Sequence, residues 1–244
     1  MKLGKLPPQR LMSTPALGDY LDKATAWPSV PAQGWEFAVP APDLSVLGND
    51  QFGDCGPAGA LHLIQAQSAN TGKLITPATS DALSLYTALT GFNPADPSTD
   101  QGVVLTDLLA YWQTTGIAVG STVHKIEGFA SVDISSVAQM RYAAYTFGGL
   151  YLGLNLPAAC QTAQNWNFGP GQQIEGGHCV ILAGQGRAGG KIGTWGMWVP
   201  ATWQFLLTYL DEAYIVCSED WVNSQDKSPS GLDLNALLAA MKTL

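Results

Sequence analysis

The sequence predicts an α+β chain in which a helical lobe precedes a strand-rich lobe. From Gly56 onward, apolar residues recur at helical spacing and glycines end the runs. After Ile117 the chain changes to short apolar runs that are typical of strands. Helices first and strands second predict one two-lobed domain over residues 49–222, with its lobes at 49–117 and 118–222.

Three helices are expected in the first lobe. The first begins at the Cys55–Gly56 step, where Pro57 suits an initial helical turn, and it ends at Gly72. The second covers residues 80–89 and the third covers residues 105–115. A turn-rich loop, residues 92–100, separates these two helices.

The second lobe is expected to alternate strands with short helices. Asp211 and Glu212 are interpreted as a turn before its last strand. The predicted strands are residues 122–129, 150–156, 178–184, 191–197 and 213–217, and the predicted helices are residues 135–147, 157–165 and 202–210.

Residues 1–48 are rich in proline and lack periodicity, which predicts an extended, clamped arm with one short helix at residues 18–22. An arm lying in a cleft between the lobes would indicate a pro-segment, whereas an arm on neighbouring copies would indicate assembly. Residues 223–244 are predicted to be a linker followed by an amphipathic helix, residues 233–243, capped by Asp233.

The charge of the chain excludes some partners. Its formal net charge is −8, and its 11 basic residues form no run, so we expect no nucleic-acid partner. No apolar run reaches the roughly 18 residues that span a bilayer, so we expect no membrane association. The start of the chain lacks the apolar core of a signal peptide, so we expect no export.

The four cysteines are expected to be free thiols, because a chain that is not exported stays in a reducing compartment. Neither a C-x2-C nor an H-x3-H spacing occurs, so we expect no metal site and no cofactor.

Cys55 is the first candidate for chemistry, within Gly-Asp-Cys-Gly-Pro-Ala-Gly-Ala. A helix N-terminus carries a partial positive charge, which favours the thiolate. The amides of Asn49 and Gln51 come shortly before it and could point N–H groups at an oxyanion. The alternative for Cys55 is a small buried apolar residue.

His178 is the second candidate, because it follows Gly176 and Gly177 at the head of an apolar strand. The two glycines allow another backbone or a ligand to approach closely. His62 and His124 are interpreted as structural. A cysteine and a histidine far apart in sequence that meet only in the fold are typical of a cysteine hydrolase.

These residues, in this order, resemble the papain-like cysteine peptidase superfamily over roughly residues 49–220. The block Asp-Cys-Gly-Pro-Ala also resembles the nucleophile region of the bacteriocin-processing peptidases. The whole chain, including its Lys-Leu-Gly-Lys start, is similar to uncharacterised proteins encoded by tailed phages and prophages. This resemblance implies a location in the host cytoplasm or in a virion. The resemblance implies a papain-like two-lobe fold with Cys55 as nucleophile and His178 as general base.

The resemblance leaves two site positions open. The oxyanion glutamine of the family stands six residues before the nucleophile, where this chain has Asn49. We favour Gln51, with Asn49 as the alternative. The family's Asn-Ser-Trp-Gly motif aligns with residues 193–196 here, so Gly193 replaces the Asn that orients the imidazole. Thr194 or a backbone carbonyl must then orient the ring. Trp195 could form a lid over it.

A second alignment would make the protein inert. It matches Cys55 to an earlier, non-catalytic cysteine of the family and places Ala58 at the nucleophile position. We reject it because Cys55 adjoins the start of the helix.

The sequence therefore predicts a cysteine peptidase or amidase acting on a peptide or a peptidoglycan-like amide. The rival interpretation is a virion or self-assembly component that uses a papain-like fold and binds partners through the arm. A third, a small-ligand binding module, requires a deep pocket away from Cys55.

Overall fold

The helices and strands follow the predicted order. The computed structural model describes residues 1–9, 14–21, 29–38, 40–41, 43–222, 227–231 and 233. Its helices are α1 (Gly18–Leu21), α2 (Cys55–Asn70), α3 (Thr79–Thr90), α4 (Leu105–Thr114), α5 (Val137–Thr146) and α6 (Trp203–Tyr209). Its strands are β1 (Trp35–Glu36), β2 (Ile117–Val119), β3 (Thr122–His124), β4 (Ile126–Ser131), β5 (Leu150–Pro157), β6 (Ile174–Gln185), β7 (Gly189–Thr194), β8 (Met197–Thr202) and β9 (Leu210–Ser218).

The predicted C-terminal helix, residues 233–243, lies outside the described residues apart from Asp233. None of the described helices is long and apolar enough to cross a membrane.

One antiparallel sheet builds the second lobe. Its strand order is β4-β9-β5-β6-β7-β8, and β1 pairs with the far end of β6. The strands β2 and β3 form a separate hairpin. Together with α2, α3 and α4 in the first lobe, this sheet confirms the predicted α+β class with two lobes.

The sheet carries an apolar core on each face, because successive side chains of a strand point to opposite sides. Cys179 and Ile181 of β6 lie on the face that packs against α2, in the same core as Cys55. Val180 and Leu182 lie on the other face, which is covered by α5 and α6. Strand β6 therefore stands between the two cores.

Local signals explain where the helices begin. The hydroxyl of Ser136 accepts the N–H of Gln139 at 3.1 Å at the start of α5. The hydroxyl of Thr202 accepts the N–H of Phe205 at 3.1 Å at the start of α6. Each hydroxyl satisfies a backbone donor that the helix itself leaves free.

The predicted strand at residues 191–197 is wrong in its extent. The chain instead forms a hairpin of β7 and β8 that turns at Trp195 and Gly196. Both turn residues have positive φ, 47° and 75°, which a continuing strand does not allow. The turn keeps Trp195 buried, with 5% of its surface exposed.

Three smaller predictions also need correction. Residues 122–129 form the two strands β3 and β4, which pair with different partners. The predicted helix at residues 157–165 is one 3₁₀ turn, Ala158–Gln161. Asp211 and Glu212 are not a turn, because they lie in β9, where Glu212 pairs with Gly153.

Candidate active site

Cys55 is the first residue of α2, a helix of 16 residues. Ala58 lies one turn further on and donates its N–H to the carbonyl of Asp54 at 2.9 Å. The prediction that the helix begins at Cys55 is confirmed. The sulfur is thus at the positive end of the helix dipole.

The surroundings of Cys55 hold it as a neutral thiol. Burial raises its pKa to about 11, although the backbone N–H groups of Cys179 and Gly4 lie close enough to lower it. The Asp54 carboxyl, whose own pKa burial raises to about 7, adds a smaller effect in the same direction as burial. Only 1% of the Cys55 surface is exposed. In this state the sulfur is sealed from solvent.

His178 lies in β6 and is completely buried. Its Nε2 is hydrogen-bonded to Oγ1 of Thr194 at 2.7 Å. The ring stacks on Trp195 with 4.3 Å between centroids and 24° between planes. The structure thus brings together the two side chains that the sequence offered for orienting and covering the imidazole.

Burial lowers the pKa of His178 to about 3, and His62 adds to the effect. The imidazole is therefore neutral at ordinary pH. Its Nδ1 is buried and has no hydrogen-bond partner among the described residues. Nε2 is therefore fixed by a hydrogen bond, whereas Nδ1 is unpaired.

The side chains of Cys55 and His178 lie on opposite faces of β6, at neighbouring positions of the strand. The sulfur lies at the backbone of Cys179, which directly follows His178. His178 pairs across the sheet with Leu154, whose side chain belongs to the opposite core. Among the described residues, Nδ1 of His178 makes no hydrogen bond, and thus none to the Cys55 sulfur.

The two oxyanion candidates differ in their environment. Asn49 is 2% exposed, and its side-chain amide donates to the carbonyl of Phe52 at 3.0 Å. Gln51 is exposed. The carbonyl of Asn49 also accepts the N–H of Lys2 at 2.9 Å, which places Asn49 beside the start of the chain.

The start of the chain lies in the cleft between the lobes. Lys5 donates its N–H to the carbonyl of Gly177 at 3.1 Å on the strand lobe. Leu6 donates to the carbonyl of Val103 at 3.0 Å on the helical lobe. The segment crosses the cleft at Cys55, because Gly4 N–H faces the sulfur. Residues 1–9, the described start of the predicted arm, are clamped as expected.

The other histidines have structural contacts. His62 is 2% exposed and bonds through Nε2 to the carbonyl of Ser45 at 2.8 Å. His124 contacts the carboxylate of Asp220 through Nδ1 at 3.0 Å. Neither histidine lies at Cys55.

Sequence reasoning missed one residue that supports the site. Asp100 accepts the N–H of Gly53 at 2.9 Å and the hydroxyl of Tyr86 at 2.8 Å. It therefore fixes the loop that leads into Cys55. It lies in a loop of turn-forming residues, where nothing in the sequence distinguishes it from a solvated aspartate.

A cavity of about 850 Å³ lies away from Cys55, at the far ends of β6, β7 and β8. Trp35, Trp166 and Arg187 contribute to its walls. This cavity is the pocket that a small-ligand binding module would use, but it shares none of its described lining residues with the cysteine–histidine region.

The same architecture occurs in solved cysteine proteases. Xylellain, a cysteine protease from Xylella fastidiosa, superposes with a TM-score of 0.67 over 88% of this chain and 95% of its own, at 12% identity. The procathepsin B S9 of Trypanosoma congolense superposes with a TM-score of 0.66 over 89% of this chain and 86% of its own, at 11% identity. The fold is papain-like.

The bromelain protease of Ananas comosus, solved with the inhibitor E64, gives a TM-score of 0.59 over 78% of this chain and all of its own, at 13% identity. No family model matches the chain, and no curated protein matches it by sequence. The papain-like likeness thus rests on architecture.

Proposed function

We propose that this protein is a papain-like cysteine hydrolase, a peptidase or amidase, held in a latent state by its own N-terminal segment. The observation that carries the proposal is the fully buried imidazole of His178. Its Nε2 is anchored by Thr194 and its Nδ1 is unpaired, while the next residue of the strand, Cys179, contacts the Cys55 sulfur through its backbone on the other face. A buried polar atom without a partner is costly unless it has a role.

The chemistry begins when the segment leaves the cleft. Water then reaches the Cys55 sulfur, and the desolvation that keeps this thiol neutral decreases. The His178 ring must also reach the Cys55 face of β6, where its Nδ1 takes the thiol proton of Cys55 and the helix dipole stabilises the resulting thiolate. A neutral pair in the closed state and an ion pair in the open state make the segment a switch.

The thiolate attacks an amide carbonyl and forms a tetrahedral intermediate. The N–H of Cys55 and the side-chain amide of Gln51, or alternatively of Asn49, stabilise the oxyanion. His178 returns the proton to the leaving amine, which gives a thioester, and water hydrolyses this thioester with His178 as base. Peptides or peptidoglycan-like amides are the substrates expected in a phage or prophage setting.

Labelling with the epoxide inhibitor E-64 tests the proposal, read as the mass of the intact protein after displacement of the segment with mild denaturant. We expect one adduct on Cys55 in the native sequence. We expect none in Cys55→Ser and a strongly slowed reaction in His178→Ala. Cys160→Ser is the matched control, since it removes another buried thiol without touching the site. An adduct that persists in Cys55→Ser would refute the assignment.

The second candidate is an assembly component that has kept the fold without the chemistry. The observation that favours it is the neutrality of both groups, a thiol with pKa about 11 and an imidazole with pKa about 3. Under this alternative, displacement of the segment leaves Cys55 unreactive and exposes a surface for virion or self-assembly partners. Sedimentation of the displaced protein would then show higher oligomers.

A further inference from the structure

The cleft binds an extended backbone from both sides. The N–H of Lys5 donates to Gly177, the N–H of Leu6 donates to Val103, and Val103 donates back to the carbonyl of Gly4 at 2.7 Å. These bonds involve only main-chain groups. These hydrogen bonds therefore hold an extended strand whatever its side chains are.

Glycines on both walls make this approach possible. A side chain at Gly102 would collide with the carbonyl of Gly4, and one at Gly177 would collide with the carbonyl of Lys5. The cleft is thus a narrow slot shaped for main chain. Any preference for particular peptide sequences must therefore come from pockets that bind the side chains of the peptide.

One side chain of the segment lodges in a buried acidic recess. The Nζ of Lys5 lies 2.8 Å from Oδ2 of Asp211 and 3.1 Å from Oε1 of Glu212. The side chains of these three residues are 1%, 16% and 4% exposed. The hydroxyl of Tyr214 donates to the second oxygen of Glu212 at 2.8 Å. Tyr214 thus holds Glu212 in place independently of the ammonium.

The recess has room for the stem of a long basic side chain because Gly153 forms part of its wall. A side chain at Gly153 would collide with Cε of Lys5 and with Cγ of Glu212. The side chain of Cys179 lies on the same face of the sheet. Burial raises the pKa of its thiol, and the nearby charges of Glu212 and Lys5 act on this pKa in opposite directions. Since the N–H of Cys179 contacts the Cys55 sulfur, the recess adjoins the proposed nucleophile.

A cavity of about 650 Å³ adjoins the recess and supplies a path for a charged group. Asp133, Asp211 and Glu212 line it, and its described lining residues include no basic side chain. When Lys5 leaves, Glu212 loses its counter-ion within the fold. A buried carboxylate without a partner is costly, so Glu212 then either binds a replacement cation or takes up a proton.

We propose that this recess is a specificity pocket for a lysine or arginine side chain of an extended peptide bound in the slot beside Cys55, with Lys5 as its resident occupant. The inference rests on the proposed function for its role in substrate selection. The binding of a basic peptide does not depend on catalysis, so the two can be tested separately.

The test uses the full chain carrying Gly4→Val and Lys5→Ala, called the open variant. The added side chain at residue 4 collides with the carbonyl of Gly53, and the alanine vacates the recess. Two fluorescent hexapeptides with the sequence of residues 1–6 serve as probes, one with lysine at the fifth position and the other with uncharged norleucine. Fluorescence anisotropy gives both affinities.

We expect the lysine peptide to bind the open variant about tenfold or more tightly than the norleucine peptide, since a buried charge pair separates them. Glu212→Gln in the open variant should remove most of this preference. The matched control Glu219→Gln changes the net charge equally on an exposed residue and should preserve it. Circular dichroism verifies that each variant is folded.

Equal affinities for the two peptides, or no binding of either by a folded open variant, would overturn the pocket. Tight lysine-selective binding without any reaction of Cys55 with E-64 would keep the pocket and reject the hydrolase. Reaction of Cys55 with E-64 without lysine selectivity would keep the hydrolase and reject the pocket.

Discussion

Strand β6 has two faces, and different parts of the chain close them. On the His178 face, Thr194 and Trp195 fix the imidazole within an apolar core that continues through Val180 and Leu182. On the Cys55 face, the sulfur is sealed by the backbone of residues 4–5 and by the ion pairs of Lys5. The first closure belongs to the core of the domain, whereas the second is a terminal segment.

This difference indicates where the protein can change state. Opening the His178 face would dismantle a sheet core, but opening the Cys55 face requires only a short terminal strand to leave its slot. Low-stability segments at functional sites are the ones that move. The segment therefore regulates access to the Cys55 sulfur, whereas His178 is held by the core of the domain.

Opening the Cys55 face should give the largest effect. In the open variant, the loss of the Lys5 ion pairs and the backbone collision at residue 4 should raise the rate of Cys55 alkylation by iodoacetamide about 100-fold, because breaking a buried pair costs several kcal/mol. Quenched labelling with peptide mass spectrometry measures this rate. Lys2→Ala is the matched control on the exposed start of the same segment and should change the rate little. An unchanged rate in the open variant would show that the segment does not gate the thiol.

Loosening the His178 face should have an intermediate effect. Thr194→Val removes the hydroxyl from Nε2 and leaves a buried ring nitrogen unpaired, so we expect E-64 to react with Cys55 of the open variant about 10- to 100-fold more slowly, which corresponds to about 1–3 kcal/mol. Thr194→Ser keeps the hydroxyl and should restore most of the rate. If valine and serine behave alike, Thr194 fills space and does not orient the ring.

A smaller effect concerns stability in acid. The pKa of His178 in the folded protein is about 3, below its unfolded value near 6.5, so the unfolded chain takes up a proton first as the pH falls. This group's contribution to stability is therefore lost between those pH values, by about 1.4 kcal/mol per pH unit. The free energy of unfolding of His178→Gln should fall less steeply with decreasing pH than that of the native sequence.

Urea unfolding at several pH values between 4 and 6.5 measures that slope. His62→Gln is the companion variant, because burial also lowers the pKa of His62, to about 4, although its nitrogen is paired. It should flatten the slope by a similar amount without affecting alkylation of Cys55. Parallel slopes for His178→Gln and the native sequence would mean that His178 is not held neutral in the folded state.

Much of this architecture could be read from local sequence. Pro57 and Gly72 bracket α2 and place Cys55 at its start, because both signals act within one helical turn. The glycines at 176 and 177 indicated a close backbone approach, and the structure brings Leu3 and Lys5 against them. Such predictions succeed because short-range geometry decides them.

The remainder depended on contacts between distant parts of the chain. Asp211 and Glu212 look like a turn in sequence, and only the pairing with Lys5, 206 residues away, shows that they belong to a buried strand. The turn at Trp195 was missed because a tryptophan with positive φ is held by its packing on the His178 ring and not by local propensity. Tertiary context overrode the local pattern in both cases.

The most direct test of the account is the pH dependence of Cys55 alkylation, compared between the native chain and the open variant. The native chain should react slowly, with a rate that still rises above pH 9, because burial raises the pKa of its thiol to about 11. The open variant should react fast already below pH 7, and His178→Ala should abolish that acidic reactivity. An ordinary thiol profile in the open variant, with a midpoint near 8.5 whether or not His178 is present, would contradict the proposed pair.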